Sequence, residues 1–261
     1  MMCGVDLHLA GKTAVVTGAG KGIGLAITRA LAEEGATVVA GSRSVTPALA
    51  ELSSVFPLAV DLASADGPGR LLELAASHGG ADILINNVGA THSRPNGFLS
   101  ITDDDWLETI TINFLSAVRA TRAALPQLLE HRGTIVTVCS VNATLPDPLV
   151  MDYSAAKGAL LNFSKSLSKE FGPQGIRVNT VSPGPVETDL WLGEHGMAHS
   201  VAAATGGNPE DVAKGAAGQS VTNRFTHPEE VAALVVMLAS DRAGNVTGAD
   251  HIIDGGLTIS L

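Results

Sequence analysis

Tyr153 and Lys157 stand one helical turn apart, so a helix carrying them projects both side chains from the same face. A free phenol is a poor base at neutral pH, but an adjacent ammonium stabilises the phenolate. Such a pair can pass a proton to or from an oxygen. Tyr153 is the single tyrosine of the chain. The spacing is frequent on ordinary helix surfaces, and taken alone it favours a solvated Tyr–Lys pair.

A second set of residues points to a phosphate. Thr17-Gly18-Ala19-Gly20-Lys21-Gly22-Ile23-Gly24 follows a β-branched run and precedes a helical pattern. Glycine there permits a tight turn and lets backbone N–H groups approach a pyrophosphate at a helix N-terminus. The match is TGxxxGxG, through Gly18, Gly22 and Gly24; the GxGxxG form would need glycine where Ile23 stands. A dinucleotide is the expected guest, although such glycines also have a purely structural reading. After the second strand, where a chain selecting NAD usually places a carboxylate for the ribose 2′-hydroxyl, this chain has Ser42 and Arg43. Arg43 can make charge-assisted bonds to a 2′-phosphate, and Lys21 can add a second cation. NADP(H) is therefore the expected cofactor, with NAD(H) as the alternative.

These residues need a frame to hold them. The 261 residues fit one large α/β domain, expected to span 1–261. Hydrophobic residues make up 45% of the chain but aromatics only 3%, so Ala, Val, Leu and Ile must fill the core. β-Branched runs at 13–17, 37–40, 55–61, 83–86, 134–138, 177–182 and 251–253 read as strands. Helical patterns occupy 23–34, 65–78, 103–129, 153–171 and 228–239, with Pro228 suited to a first turn. This alternation predicts an α/β, single-domain, Rossmann-type doubly wound fold. Its roughly seven-stranded parallel sheet would carry helices on both faces and a ligand crevice at the strands' carboxyl ends. The alternation fails at about 186–223, which reads either as a substrate lid or as a solvated insertion.

With its motifs in this order, the sequence resembles the classical short-chain dehydrogenase/reductase family, in particular its 3-oxoacyl reductases, over residues 9–256. The glycine turn is followed by Asp61-Leu62, Asn86-Asn87-Val88-Gly89, Asn113, Ser140, Tyr153-Ser154-Ala155-Ala156-Lys157, Pro183-Gly184 and Asp254-Gly255-Gly256. The resemblance implies an oxidoreductase that interconverts a ketone and a secondary alcohol. In it Tyr153 exchanges the proton, Ser140 bonds the reacting oxygen, Lys157 holds the nicotinamide ribose and tunes Tyr153, and Asn113 supports a water relay. It also implies that Asp61 and Leu62 flank the adenine, Asn87 and Gly89 the ribose, and Val186 and Thr188 the carboxamide, beside Pro183 and Gly184. Homotetramers are common in the family; Ala155, Ala156 and Ala159 and the apolar end 257–261 are candidate contacts. Val88 departs from the usual alanine, and Cys139 from the usual serine or small residue, without removing a catalytic group.

Other features narrow the class. A formal charge of −10 disfavours nucleic acid and an acidic acyl carrier. Cys3 and Cys139 are too few for a disulfide framework, and no signal peptide or apolar span is evident, so a cytoplasmic protein is expected. Cys139 should pack on the side of its strand opposite Ser140 as an inert thiol. His195 and His199 have helical spacing but no third ligand, and no metal is assigned. Phe98, Leu145, Pro146, Leu149, Val150, Met151, Leu190, Trp191, Leu192 and Met197 are candidate walls for a small, largely apolar carbonyl or alcohol substrate, or else simply pack the lid. An NAD-dependent alcohol dehydrogenase and a non-catalytic nucleotide sensor remain as rival functions.

Overall fold

The β-branched runs become seven strands in the computed structural model, which describes residues 5–259. They are β1 (Thr13–Thr17), β2 (Thr37–Ser42), β3 (Val55–Ala59), β4 (Ile83–Asn86), β5 (Thr134–Val138), β6 (Arg177–Pro183) and β7 (Asp250–Ile253). All pair in parallel, in the order β3-β2-β1-β4-β5-β6-β7. Chain order reverses between β1 and β4, which opens a crevice at their carboxyl ends. The expected doubly wound parallel sheet is thus found. Cys3 and the last two positions of 257–261 lie outside the described residues.

Parallel strands need crossovers, and helices supply them on both faces. The helices are α1 (Gly22–Glu33), α2 (Pro47–Ala50), α3 (Gly67–Ala76), α4 (Asp103–Ile110), α5 (Ser116–His131), α6 (Met151–Phe171), α7 (Asp189–Leu192), α8 (Met197–Thr205), α9 (Pro209–Ala217) and α10 (Pro228–Ala239). Successive strand residues face opposite cores. Ala14 and Val16 join Ile27 and Leu31 of α1 and Val231 and Val235 of α10, whereas Val15 joins Leu71 of α3, Leu128 of α5 and Leu167 of α6. Pro228 begins α10 as expected, and the Glu230 carboxylate accepts the His227 N–H to close its first turn. No helix among the described residues is long and apolar enough to cross a membrane.

Four expectations change. Strand β2 runs two residues past the expected end, because Gly41 and Ser42 are paired with Leu58 and Ala59 of β3. The expected helix 103–129 is divided by a π-turn at Thr111–Leu115. The 186–223 segment, unassigned in sequence, holds the short helices α7, α8 and α9. Ala156 is 2% exposed and cannot belong to an outer face, which leaves Ala155 and Ala159 exposed on α6.

Candidate active site

The carboxyl ends of the central strands open into one cleft of about 620 Å³. Every residue expected to hold the cofactor lines it: Gly18, Lys21, Gly22, Ile23, Gly24, Ser42, Arg43, Asp61, Leu62, Asn87, Gly89, Tyr153, Lys157, Pro183, Gly184, Val186 and Thr188. Ser140 lines it too, while Asn113 is fully buried behind the wall.

The glycine turn is shaped for close approach. Gly18 and Gly22 have φ of +70° and +53°, where side chains are strained. A Cβ on Gly24 would lie 2.1 Å from the Gly18 carbonyl oxygen. Asn87 braces this turn: its Nδ2 donates to Thr17 O at 3.0 Å and Gly18 O at 3.1 Å. The first turn of α1 has no side-chain cap and no acidic residue, so its free N–H groups suit an anionic pyrophosphate. At the far end of the cleft Arg43 is exposed and Ser42 donates to Ser44 O at 2.7 Å. Lys21 reaches Asp189 of α7 at 3.2 Å, a pair in which both side chains are mostly exposed.

At the other end, α6 places Tyr153 and Lys157 on the cleft face. Lys157 is 3% exposed; its Nζ donates to Val138 O at 3.0 Å and lies 5.6 Å from the Tyr153 ring centroid. A Cβ on Gly89 would lie 3.5 Å from that ammonium and 3.0 Å from Asn113 Oδ1, so the bare glycine leaves room above both. Ser140 ends the extension of β5, and its Oγ interacts with Asn142. Cys139 is buried: its Sγ donates to Lys157 O at 3.3 Å, and burial pushes the thiol up from its ordinary value, as suits a packed cysteine.

Asn113 lies behind the cleft wall. The π-turn aims its amide at Ala90, where Oδ1 accepts the Ala90 N–H at 3.1 Å and Nδ2 donates to Ala90 O at 2.8 Å and Thr109 O at 3.0 Å. The two bonds to Ala90 hold the loop after β4, the third stays within the helix, and single-turn π-bulges often mark functional positions.

Several site residues have no signal in the sequence reading. Arg94 donates to Asp152, the residue before Tyr153, from Nε at 3.1 Å and Nη2 at 2.7 Å. Thr109 Oγ1 adds a bond to Asp152 at 2.8 Å, and Arg94 also reaches Asp105 at 2.8 Å. Thr91, Ile112, Val141, Asn142, Gln219 and Leu257 line the cleft without having been expected. Of the expected walls, Leu145, Pro146, Val150, Leu190, Trp191 and Met197 do line it; Phe98, Leu149, Met151 and Leu192 do not. Phe98 is 56% exposed in a short 3-10 turn that points it to solvent.

A family model described as Enoyl-(Acyl carrier protein) reductase matches residues 18–258. A 3-oxoacyl-(acyl-carrier-protein) reductase of Thermotoga maritima is 33% identical over 97% of this chain and 100% of its own length. D-threitol dehydrogenase of Mycolicibacterium smegmatis is 36% identical over 97% of this chain and 95% of its own. Among solved structures, L-sorbose reductase of Gluconobacter frateurii, complexed with NADPH and L-sorbose, superposes with a TM-score of 0.89 at 33% identity, covering 98% of this chain and 100% of that one.

Proposed function

The chain belongs to the short-chain dehydrogenase/reductase family of oxidoreductases, and we propose that it uses NADP(H) to interconvert a ketone and a secondary alcohol. The observation that carries this reading is a buried lysine beside the chain's one phenol, in a cleft whose other end is a glycine cradle. The NADPH bound in the solved relative supports the same cofactor here. Gly18, Gly22 and the N-terminus of α1 would hold the pyrophosphate, Ser42 and Arg43 the 2′-phosphate end, and Lys157 the nicotinamide ribose. Bound there, the nicotinamide supplies hydride for reduction and accepts it for oxidation.

The protein's own groups handle the oxygen. In reduction, Tyr153 donates its phenolic proton to the carbonyl oxygen as negative charge develops, and Ser140 donates a hydrogen bond to the same atom. The buried ammonium of Lys157 stabilises the phenolate left behind. Asn113 acts as a positioning residue through Ala90. Ile112, Val141, Leu145, Trp191 and Met197 give the substrate end apolar walls, and the 186–223 helices cover it as a lid.

Replacing Tyr153 by Phe keeps the ring and removes the proton. Tyr153→Phe should bind NADPH as the wild type does, read by fluorescence titration, and lose at least ~100-fold in kcat, the usual scale of acid–base assistance. Undiminished turnover on a ketone would overturn the reading. We further propose a homotetramer built partly on the exposed Ala155 and Ala159 face of α6, with a dimer next; a monomeric mass by light scattering at micromolar concentration would defeat it.

A further inference from the structure

Ser140 is bonded twice to Asn142. Its Oγ donates to Asn142 Oδ1 at 3.2 Å and accepts the Asn142 backbone N–H, also at 3.2 Å. The Asn142 Nδ2 donates to Leu145 O at 3.3 Å, so the amide is held with its oxygen toward Ser140. Both residues line the cleft with Tyr153.

A hydroxyl has one proton to give. The ketone–alcohol reading, on which this inference rests, requires Ser140 to aim that proton at the carbonyl oxygen. Oγ can still accept the backbone N–H as it does so, but Asn142 Oδ1 then loses its donor. An acceptor left without a donor under a bound substrate is costly, and a replacement donor removes the cost. The neighbouring walls Val141, Leu145 and Pro146 carry no side-chain donor, so the replacement comes from water or from the substrate, and a substrate that fills this end of the cleft displaces the water. The substrate's donor must also stand beside the carbonyl, because Oδ1 is only 3.2 Å from Ser140 Oγ.

We propose that Asn142 is a specificity-determining residue and that the substrate class is the α-hydroxy ketone, with the vicinal diol as its reduced partner. Ser140 Oγ–H bonds the carbonyl oxygen while the hydroxyl on the adjacent carbon donates to Asn142 Oδ1. Oxygens on adjacent carbons lie within hydrogen-bonding distance of each other, as do Ser140 Oγ and Asn142 Oδ1, so the two pairs match in spacing. Asn142 exchanges no proton; hydride and the Tyr153 proton still convert the carbonyl to the second hydroxyl of the diol.

The test compares NADPH-dependent reduction of 1-hydroxy-2-butanone, 1-methoxy-2-butanone and 2-butanone. The methoxy compound keeps the inductive pull on the carbonyl and removes only the donor. Wild type should favour hydroxy over methoxy ketone by about threefold to tenfold in kcat/KM, the scale of one neutral hydrogen bond. In Asn142→Ala that ratio should fall to about one, and Asn142→Asp, which keeps an acceptor oxygen, should hold it above the Ala value. Each enzyme is its own reference, so a general loss from a displaced Ser140 cancels in the ratio. A wild-type ratio near one, or an unchanged ratio in Asn142→Ala, overturns the inference while turnover of 2-butanone keeps the ketone–alcohol reading. If wild type reduces none of the three ketones, that reading fails and the inference falls with it.

Discussion

Arg94 grips Asp152 through two nitrogens, at 3.1 and 2.7 Å, and so fastens the loop after β4 to the residue directly before Tyr153. Asp152 is 1% exposed, and its other oxygen accepts the Tyr153 N–H at 3.0 Å. Removing one partner of such a pair leaves a buried charge unmatched, a loss on the order of 3–5 kcal/mol. Arg94→Leu should therefore lower the urea midpoint by about 3 kcal/mol of stability, and adding Asp152→Asn should recover part of it. A midpoint equal to wild type would show that the pair contributes little.

The same carboxylates set an acid limit. Burial pushes Asp152 up, but the bonds from Arg94 and Thr109 outweigh it and hold the group below its ordinary value. Thr102 bonds, then Arg94, bring Asp105 down to about 2; Arg224 and the His227 N–H bring Glu230 to about 2. Each is lower in the folded than in the unfolded chain, so near pH 3 the unfolded chain binds more protons and stability rises with pH. That stabilisation is complete above roughly pH 5 and is lost as pH falls toward 2. Tm measured at pH 5, 4 and 3 should decline stepwise; a constant Tm across that range would contradict the assignment.

The glycine turn and the Tyr153–Lys157 pair were legible as local patterns, Gly18, Gly22 and Gly24 lying within one turn and Tyr153 and Lys157 within another, while their joining in one site rested on the order of motifs along the whole chain. The five inner strands were legible as local patterns too, their runs being buried on both faces, whereas the edge strands β3 and β7 are partly exposed. Arg94 and Asp152 are 58 positions apart and meet only after the chain has folded. The π-turn that aims Asn113 at Ala90 leaves no trace in Thr111–Leu115, whose residues suit an ordinary helix. Residues 186–223 hid three helices because each is nine residues or fewer, and the Ala-rich α8 carries no sharp apolar period. Asn142 escaped notice because its link to the site is its pair of bonds with Ser140, which no spacing rule singles out.

Cofactor choice is the sharpest residue-level expectation. Only NADPH carries the 2′-phosphate, and Arg43 is exposed at the end of the cleft beside Ser42, the position where a chain selecting NAD usually has a carboxylate. A charge-assisted bond is worth roughly 1.5–3 kcal/mol, and exposure to solvent puts Arg43 near or below the lower limit. Arg43→Ala should thus weaken NADPH by about tenfold and NADH much less. Lys21 is the second cation, and its exposed pair with Asp189 is weak enough to exchange for a phosphate. Asp189→Asn removes the competing carboxylate, so NADPH should bind more tightly while NADH changes little. Ser42→Asp should act in the opposite sense, repelling the phosphate and offering NADH an acceptor for its ribose hydroxyl. Titrating wild type and the three variants with both cofactors reads these signs directly. A wild type that prefers NADH, or an Arg43→Ala variant with unchanged discrimination, would reject NADP selectivity and leave Tyr153, Lys157 and Ser140 in their proposed roles.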